Sequence, residues 1–245
     1  MRKYLKYDVK SNIKFFLSSF VCFLILLVSL LSVRTVGSFS SLIRIGSALN
    51  SIEIILIGVF LMTMLYFIIN TFYRDLYTPR SILTFSLPIS AKDFIAAKLL
   101  IINIFFFLLI FLSIVLFYLM GKIMDIRSLI VILFMVLWVN ILSLLIFLYM
   151  QMDRFLFKRK NAIILTVILI GLIFVVGFFI NKEFLLLHNG NLIKNTDHIL
   201  AFVMPYVKIE GINFLNLTGF IYYGLIFIIL YIVNVGILKK DLDLS

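Results

Sequence analysis

Few residues of this sequence are of the types that perform covalent chemistry, and their spacing forms no catalytic arrangement. The two histidines, His188 and His198, have no cysteine nearby, and no H-E-x-x-H pattern occurs. Cys22 is the only cysteine, so an intramolecular disulfide is excluded. No G-x-x-x-x-G-K-[ST] phosphate-binding loop is present. We therefore expect this chain to have no catalytic residue, no metal and no cofactor of its own, and not to be an enzyme.

The composition indicates that lipid surrounds most of the chain. Of 245 residues, 64% are hydrophobic and 13% are charged, and the mean hydropathy is +1.23. Soluble domains are about half apolar, and a soluble chain of this size must keep a large surface in contact with water. We predict an all-α polytopic membrane protein that forms a single transmembrane domain over residues 1–245.

Six segments are apolar for long enough to cross a bilayer, which requires roughly 20 residues. None of them contains Asp, Glu, Lys, Arg or His. Their approximate bounds are 15–33, 54–72, 99–119, 129–150, 162–180 and 220–238. These unbroken runs lack the alternating polarity of a membrane β-barrel. The sequence thus predicts six transmembrane helices.

The distribution of Lys and Arg predicts the orientation of these spans. If both termini are cytoplasmic, 15 of the 22 Lys and Arg residues lie on the inner side, as the positive-inside rule requires. The net charge of +11 is then a topological signal. Because the basic residues are divided among short segments, we expect no nucleic-acid partner.

The first 14 residues predict an amphipathic interfacial helix that precedes the first span. Basic residues recur at helical spacing from Lys3 to Lys14, and apolar residues recur every four positions from Leu5 to Ile13. Such a helix would lie on the anionic inner leaflet before the chain turns into the bilayer. The alternative is a frayed basic tail that only enforces topology.

The predicted spans lack the ionisable residues on which ion coupling depends, which disfavours a secondary transporter. Their strongest polar side chains are those of Asn70, Asn103, Asn140 and Asn234. Such residues more often hydrogen-bond neighbouring helices than bind a ligand. If the protein moves a substrate uphill, the energy must come from another polypeptide.

The segment between spans two and three, residues 73–98, interrupts the apolar pattern with charges and prolines. We expect the second helix to end near Tyr77–Thr78, because a proline follows and disfavours helical geometry in the residue before it. A short helix over Pro79–Ser86 should come next. Ser90 and Asp93 then form an S-x-x-D capping pattern that predicts the start of the third span's helix.

This segment combines apolar side chains with flanking arginines. Ile82, Leu83 and Phe85 cannot all be buried against two helical turns, and Arg74 and Arg80 lie beside them in the sequence. Apolar anchors surrounded by charge are typical of a protein docking site. The alternative is a loop folded back on the lipid headgroups, with its apolar side chains in the bilayer.

The stretch RDLYTPRSILTFSLPISAKDFIAAKLL resembles the loop between spans two and three of ABC-2 type transporter permeases. The matching positions are Leu83, Thr84, Ser86, Leu87, Pro88, Ser90, Ala97, Lys98, Leu99 and Leu100. The six spans, the cytoplasmic termini and the long outer loop before span six are also similar to that family. The resemblance implies the permease subunit of an ATP-driven exporter in a bacterial cell membrane.

In that family the loop carries a coupling helix that sits in a groove of a separate ATPase subunit. The resemblance assigns this coupling to five residues, which are Arg74, Arg80, Ile82, Leu83 and Phe85. Two ATPase copies would bind ATP and Mg, and a second permease copy or a related permease would complete the assembly. Arg154 and Phe155, in the second inner loop, could add a smaller contact.

The same resemblance suggests that spans two and five line the translocation path and that spans one and five meet at the dimer interface. Thr63, Tyr66, Phe67 and the deeply placed Asn140 are the candidate path residues. An apolar, aromatic path suits an amphipathic or hydrophobic substrate, for which antimicrobial or toxin peptides are our expectation. A different class of function stays open, namely a sensor or immunity protein that binds a peptide in the bilayer without ATP.

The outer loop, residues 181–219, contains the apolar stretch ILAFVMPYV, which is too short to cross the membrane and is interrupted by Pro205. We predict a re-entrant or short interfacial helix there. By resemblance it would cap the translocation path, and otherwise it is a surface element without a gating role.

Overall fold

The computed structural model describes residues 2–37, 42–78, 89–119, 126–156, 159–181, 184–188, 191–195, 205–209 and 212–243. These residues contain six α-helices, which are α1 (Arg2–Gly37), α2 (Leu42–Tyr77), α3 (Ala91–Leu119), α4 (Ile126–Gln151), α5 (Arg159–Asn181) and α6 (Leu217–Asp243). A π-helical turn, Met152–Leu156, follows α4.

Four of these helices are long and apolar enough to cross a membrane. The qualifying segments are Ala91–Val115, Ser128–Phe155, Lys160–Ile180 and Leu217–Lys240. They contain most or all of predicted spans three to six, and they make this chain a helical membrane protein. Predicted spans one and two fall within α1 and α2, which are helical as expected. That these two helices also cross the membrane stays a prediction.

The basic N-terminal segment and the first predicted span form one helix, α1, without an interruption between them. No Pro or Gly occurs between Arg2 and Val36, so no residue breaks the backbone hydrogen-bond pattern. At 1.5 Å per residue, its 36 residues extend about 54 Å. The N-terminal segment is helical as predicted, but the prediction that it forms a helix separate from the first span is wrong.

The two helix boundaries predicted around the loop of residues 79–88 are confirmed. Helix α2 ends at Tyr77, and the Thr78 hydroxyl donates a hydrogen bond to the Arg74 carbonyl oxygen. Helix α3 begins directly after Ser90, whose Oγ accepts the Asp93 N–H at 3.1 Å while its hydroxyl donates to Asp93 Oδ2 at 3.0 Å. The predicted short helix over Pro79–Ser86 lies outside the described residues.

The loop between α5 and α6 contains an antiparallel four-stranded sheet. Its strands are β1 (Phe184–His188), β2 (Asn191–Asn195), β3 (Tyr206–Ile209) and β4 (Ile212–Asn216), in the order β2-β1-β4-β3. His188 pairs with Asn191, and Ile209 pairs with Ile212. Two residues separate the partners in each case, which is the spacing of a two-residue β-hairpin.

The prediction of a short re-entrant or interfacial helix over ILAFVMPYV is therefore wrong for the residues after Pro205, which the structure describes. Tyr206 and Val207, from the stretch expected to form a short helix, lie in β3, and residues 199–204 lie outside the described part of the chain. The sequence contained a signal for the sheet, because Asn189 and Gly190 form the Asn-Gly pair that favours a tight hairpin turn.

Strand β4 continues directly into α6. Asn216 is the last residue of β4, and its Oδ1 accepts the Gly219 N–H at 2.9 Å, which caps the first turn of α6. A Cβ atom at position 219 would lie 2.8 Å from Asn216 Nδ2. A side chain at position 219 would therefore push the Asn216 amide out of this cap.

The chain divides into two compact units. The N-terminal unit contains Met1–Thr71 and Ala96–Met124, and the C-terminal unit contains Phe72–Ile95 and Asp125–Ser245. The core of the N-terminal unit is aromatic, with the Phe67 and Phe105 ring centroids 4.3 Å apart. In the C-terminal unit the most extensive helix packing is between α4 and α6.

Candidate functional site

The N-terminal unit contains a buried ion pair between α1 and α3. Lys98 Nζ lies 2.6 Å from Asp8 Oδ2, and the side chains are 0% and 1% exposed. The same ammonium group donates to the Thr71 carbonyl oxygen of α2 at 3.5 Å. The ammonium group of Lys98 thus connects α3, its own helix, to both α1 and α2. Because removing two charges from water is costly, buried ionisable groups in a membrane protein are candidates for a functional role.

Two neighbouring side chains on α1 also contact Asp8. The Ser11 hydroxyl donates to the Asp8 carbonyl oxygen at 2.8 Å and lies 3.4 Å from Oδ1. The Asn12 amide makes the same two contacts at 3.0 and 3.4 Å. Asp8 and Asn12 are buried, whereas Ile13 and Leu17 are exposed. Helix α1 therefore packs a polar face inward within this unit.

Three of the four predicted path residues lie in the N-terminal unit. Phe67 is fully buried and packs against Phe15, Phe16 and Phe105. Tyr66 is 58% exposed, and its ring stacks on Phe15 at 5.4 Å. Thr63 is half-buried. Phe67 thus contributes to the packing of α1, α2 and α3, while Tyr66 presents most of its surface outward.

The fourth predicted path residue, Asn140, lies in the C-terminal unit on α4. It is buried, and its side-chain amide donates to the Val136 carbonyl oxygen of the same helix at 2.7 Å. The role of these four residues in a path stays a prediction.

In the C-terminal unit, the end of α2 is fixed to the π-helical turn. The Tyr77 hydroxyl lies 2.6 Å from Asp153 Oδ2 and 3.1 Å from the Met150 carbonyl oxygen, both potential acceptors of its hydrogen bond. Partial burial raises the pKa of the Tyr77 hydroxyl, and the hydrogen bond to Asp153 raises it further. The proton therefore stays on Tyr77 at physiological pH, and the hydroxyl acts as a donor.

The start of α3 is fixed in the same unit. The Phe94 ring packs against Phe147 of α4 with centroids 6.0 Å apart. The Tyr231 hydroxyl of α6 donates to the Lys92 carbonyl oxygen at 3.3 Å. Both flanks of residues 79–88 are thus held by contacts to α4, the π-helical turn or α6.

The residues predicted to couple to an ATPase are only partly described. Arg74 is half-buried near the end of α2, whereas Arg80, Ile82, Leu83 and Phe85 lie outside the described residues. Of the smaller predicted contact, Arg154 is exposed, and its guanidinium lies over the Phe155 ring at 5.1 Å. Both residues belong to the π-helical turn, a distortion that often occurs at functional sites.

A neutral amide network joins α4 to α6. The Asn234 side-chain amide donates to the carbonyl oxygens of Leu144, at 3.2 Å, and Leu230, at 2.8 Å. The Gln151 amide donates to the Asn234 carbonyl oxygen at 3.3 Å. Both amide residues are fully buried. The expectation that Asn234 hydrogen-bonds a neighbouring helix is confirmed.

Sequence reasoning missed the Asp8–Lys98 pair, because it treated Lys98 as a cytoplasmic charge that only sets topology. Two sequence signals pointed to the pair. Asp8 is the only acidic residue before Glu53, and it lies within a basic segment. Lys98 is followed by 23 residues without a charge, so that it stands at the very start of an apolar run.

The comparisons with known proteins give no relative for this chain. No family model matches it, and no curated protein or solved structure does. Among the residues that the structure describes, no group of three or more His, Cys, Asp or Glu side chains could hold a metal ion. Fold and side-chain geometry are therefore the basis for a functional proposal.

Proposed function

We propose that this protein is the permease subunit of an ATP-driven exporter of the ABC-2 type. The observation that carries the proposal is the fixation of both flanks of residues 79–88, through Tyr77 on one side and Lys92 with Phe94 on the other. A segment with fixed ends transmits a displacement into the helices that hold it, whereas a loosely attached loop would absorb it. The resemblance of the loop sequence to ABC-2 permeases points the same way.

The chain has no phosphate-binding loop, so ATP and Mg would bind to a partner ATPase, present in two copies. Residues 79–88 would occupy a groove of that ATPase, with Ile82, Leu83 and Phe85 as apolar anchors and Arg74 and Arg80 at their margin. The exposed Arg154 and its neighbour Phe155 would add a second, smaller contact.

A second permease copy, or a related permease, would complete the translocation path. In a single chain little of α5 is buried, since the buried share of its candidate membrane span is 6%, against 56% for that of α3. Such a helix is available to a partner in the bilayer, which agrees with the interface that the resemblance assigns to spans one and five.

The proposed substrate is an amphipathic or hydrophobic molecule, for which an antimicrobial or toxin peptide is our expectation. The exposed aromatic ring of Tyr66 and the neighbouring Thr63 hydroxyl offer mixed apolar and polar contacts to such a molecule. We place the complex in a bacterial cell membrane with both termini of this chain cytoplasmic.

Affinity purification of the tagged protein from its native membrane tests the proposal. An ATPase should co-purify with the wild type, and replacing both Ile82→Asp and Phe85→Asp should remove it. Lys240→Asp is the control. It likewise introduces an acidic side chain, but outside the proposed docking segment, at the exposed end of α6. The control should retain the ATPase.

Two results would contradict this proposal. One is a wild-type protein that carries no ATPase, which would favour the sensor or immunity class. The other is an ATPase that stays bound to the double variant, which would show that residues 79–88 are not the docking segment.

A further inference from the structure

Lys98 lies two helical turns after the start of α3. In the sequence it follows residues 79–88, the segment proposed to dock into the ATPase. It is seven positions after Ala91, the first residue of the helix, which corresponds to a rise of about 10 Å. Its ammonium is fully buried, contacts the Asp8 carboxylate of α1, and also reaches the Thr71 carbonyl of α2. A charged group at this point joins three helices within the candidate span Ala91–Val115, at the end that the predicted orientation places toward the cytoplasm.

We propose that Asp8 and Lys98 are positioning residues that fix α1 to α3, so that α1 follows any displacement of the start of α3. This inference rests on the proposed function, because the displacement would come from the docked ATPase. The pair acts on transport through the position of α1, without touching the substrate or ATP.

The physical argument is the difference between an ionic and an apolar contact inside lipid. Apolar helix surfaces gain little by facing each other, because lipid tails are equally apolar, and such helices shift past one another at low cost. A buried ion pair is different, since separating Lys98 from Asp8 would leave two uncompensated charges away from water. The pair therefore fixes one register between α1 and α3, a role known for buried polar groups in helical assemblies.

The surroundings of the pair favour a permanent connection over one that opens in each cycle. Ser11 and Asn12 supply donors to Asp8 from the same helix, and Thr71 supplies an acceptor to Lys98. Both charged side chains are almost fully shielded from solvent. Opening would have to disrupt these hydrogen bonds together with the ion pair.

Distance measurement between two spin labels tests this inference. The labels are placed at Lys10→Cys on α1 and Ile104→Cys on α3, both exposed positions, in a Cys22→Ser background that removes the only native thiol. The complex with its co-purified ATPase is measured without nucleotide and after trapping with ATP and vanadate. We expect one narrow distance distribution that is the same in both states.

The variant Asp8→Asn/Lys98→Met removes both charges and leaves no unpaired one, so that it folds. Its label-distance distribution should broaden or shift on trapping with ATP and vanadate, while the ATPase still co-purifies with it. Exchanging the charges, as Asp8→Lys/Lys98→Asp, should restore a narrow distribution at least in part. The control Lys92→Met removes an exposed lysine of the same helix and should leave the distribution unchanged.

Two outcomes would overturn the inference. The first is a wild-type distance that changes on trapping, and the second is a double variant that matches the wild type. If no ATPase co-purifies with the wild type, the proposed function fails. The nucleotide-free comparison between the wild type and the double variant still decides whether the pair fixes α1 to α3.

Discussion

The two units keep polar groups inside an apolar bundle by different means. The N-terminal unit buries full charges, those of Asp8 and Lys98. Between α4 and α6 the C-terminal unit buries neutral amides, and Gln151 and Asn234 donate to backbone carbonyl oxygens, although the unit also buries Asp75 on α2. Breaking an ion pair strands a charge, whereas breaking an amide contact in a membrane protein costs about 0.6 kcal/mol on average. The contact between α1 and α3 should therefore resist rearrangement more strongly than the contact between α4 and α6.

The largest effect should follow from Lys98→Met, which leaves the Asp8 carboxylate buried without its ammonium partner. We expect a loss of about 3–5 kcal/mol in the free energy of unfolding, measured in detergent by denaturant titration. The double variant Asp8→Asn/Lys98→Met should recover most of this loss. Lys92→Met, at an exposed position, is the control and should stay near the wild type. Equal stability of both lysine variants would remove the contrast between the two units.

The aromatic core of the N-terminal unit should give the next largest effect. Phe67→Ala removes a fully buried ring that contacts Phe15, Phe16 and Phe105. We expect a loss of about 2 kcal/mol, because the cavity term remains while transfer from lipid contributes little. Phe111→Ala, at an exposed position of α3, should change the same unfolding curve by much less. A similar loss for both would mean that Phe67 is not a core residue.

The amide network of the C-terminal unit should be weaker. Asn234→Leu keeps the side-chain volume and removes the hydrogen bond to Leu144 of α4, so we expect a loss of about 1 kcal/mol. Thr166→Ala is the matched control, since its hydroxyl bonds only within its own helix, to Ala162. A loss for Asn234→Leu as large as that for Lys98→Met would contradict the proposed difference between charged and neutral buried groups.

The smallest effect should come from Tyr77→Phe, which removes the hydroxyl that lies near Asp153 and Met150. Because the contact is partly exposed, we expect a loss of about 0.5–1 kcal/mol. The folded-state pKa of Tyr77 is raised. The contribution of this hydroxyl to the free energy of unfolding is therefore complete below the ordinary tyrosine pKa of about 10, and it is lost as the pH rises above that value. As the pH is raised above about 10, the free energy of unfolding should therefore fall less for Tyr77→Phe than for the wild type. Tyr73→Phe, which removes the hydroxyl of an exposed neighbouring ring, is the control and should change the free energy of unfolding at neutral pH by less.

The helices were predictable because membrane helices are encoded by long apolar runs and by local capping residues. The Pro79 signal placed the end of α2 at Tyr77, and the pattern of Ser90 and Asp93 placed the start of α3. These are local effects between residues close in sequence. The hairpin signal of Asn189-Gly190 was equally local, but the prediction for this loop considered only the apolar stretch that follows.

The ion pair could not be derived in this way. Asp8 and Lys98 are 90 residues apart, and neither periodicity nor charge counting indicates which charges meet. The same limit applies to the predicted path, because spacing along α2 does not show that Phe67 faces other aromatic rings while Tyr66 faces outward. Side-chain direction around a lipid-surrounded helix depends on its partners, which are distant in sequence.

One consequence of the Asn216 cap concerns how the sheet between α5 and α6 would move with α6. Asn216 ends β4 and also holds the Gly219 amide of α6, so no hinge residue separates the strand from the helix. Because strand and helix are continuous, a rotation of α6 about its axis would carry β4 with it, and the Asn216 side-chain oxygen would strengthen that connection by holding the first turn of the helix.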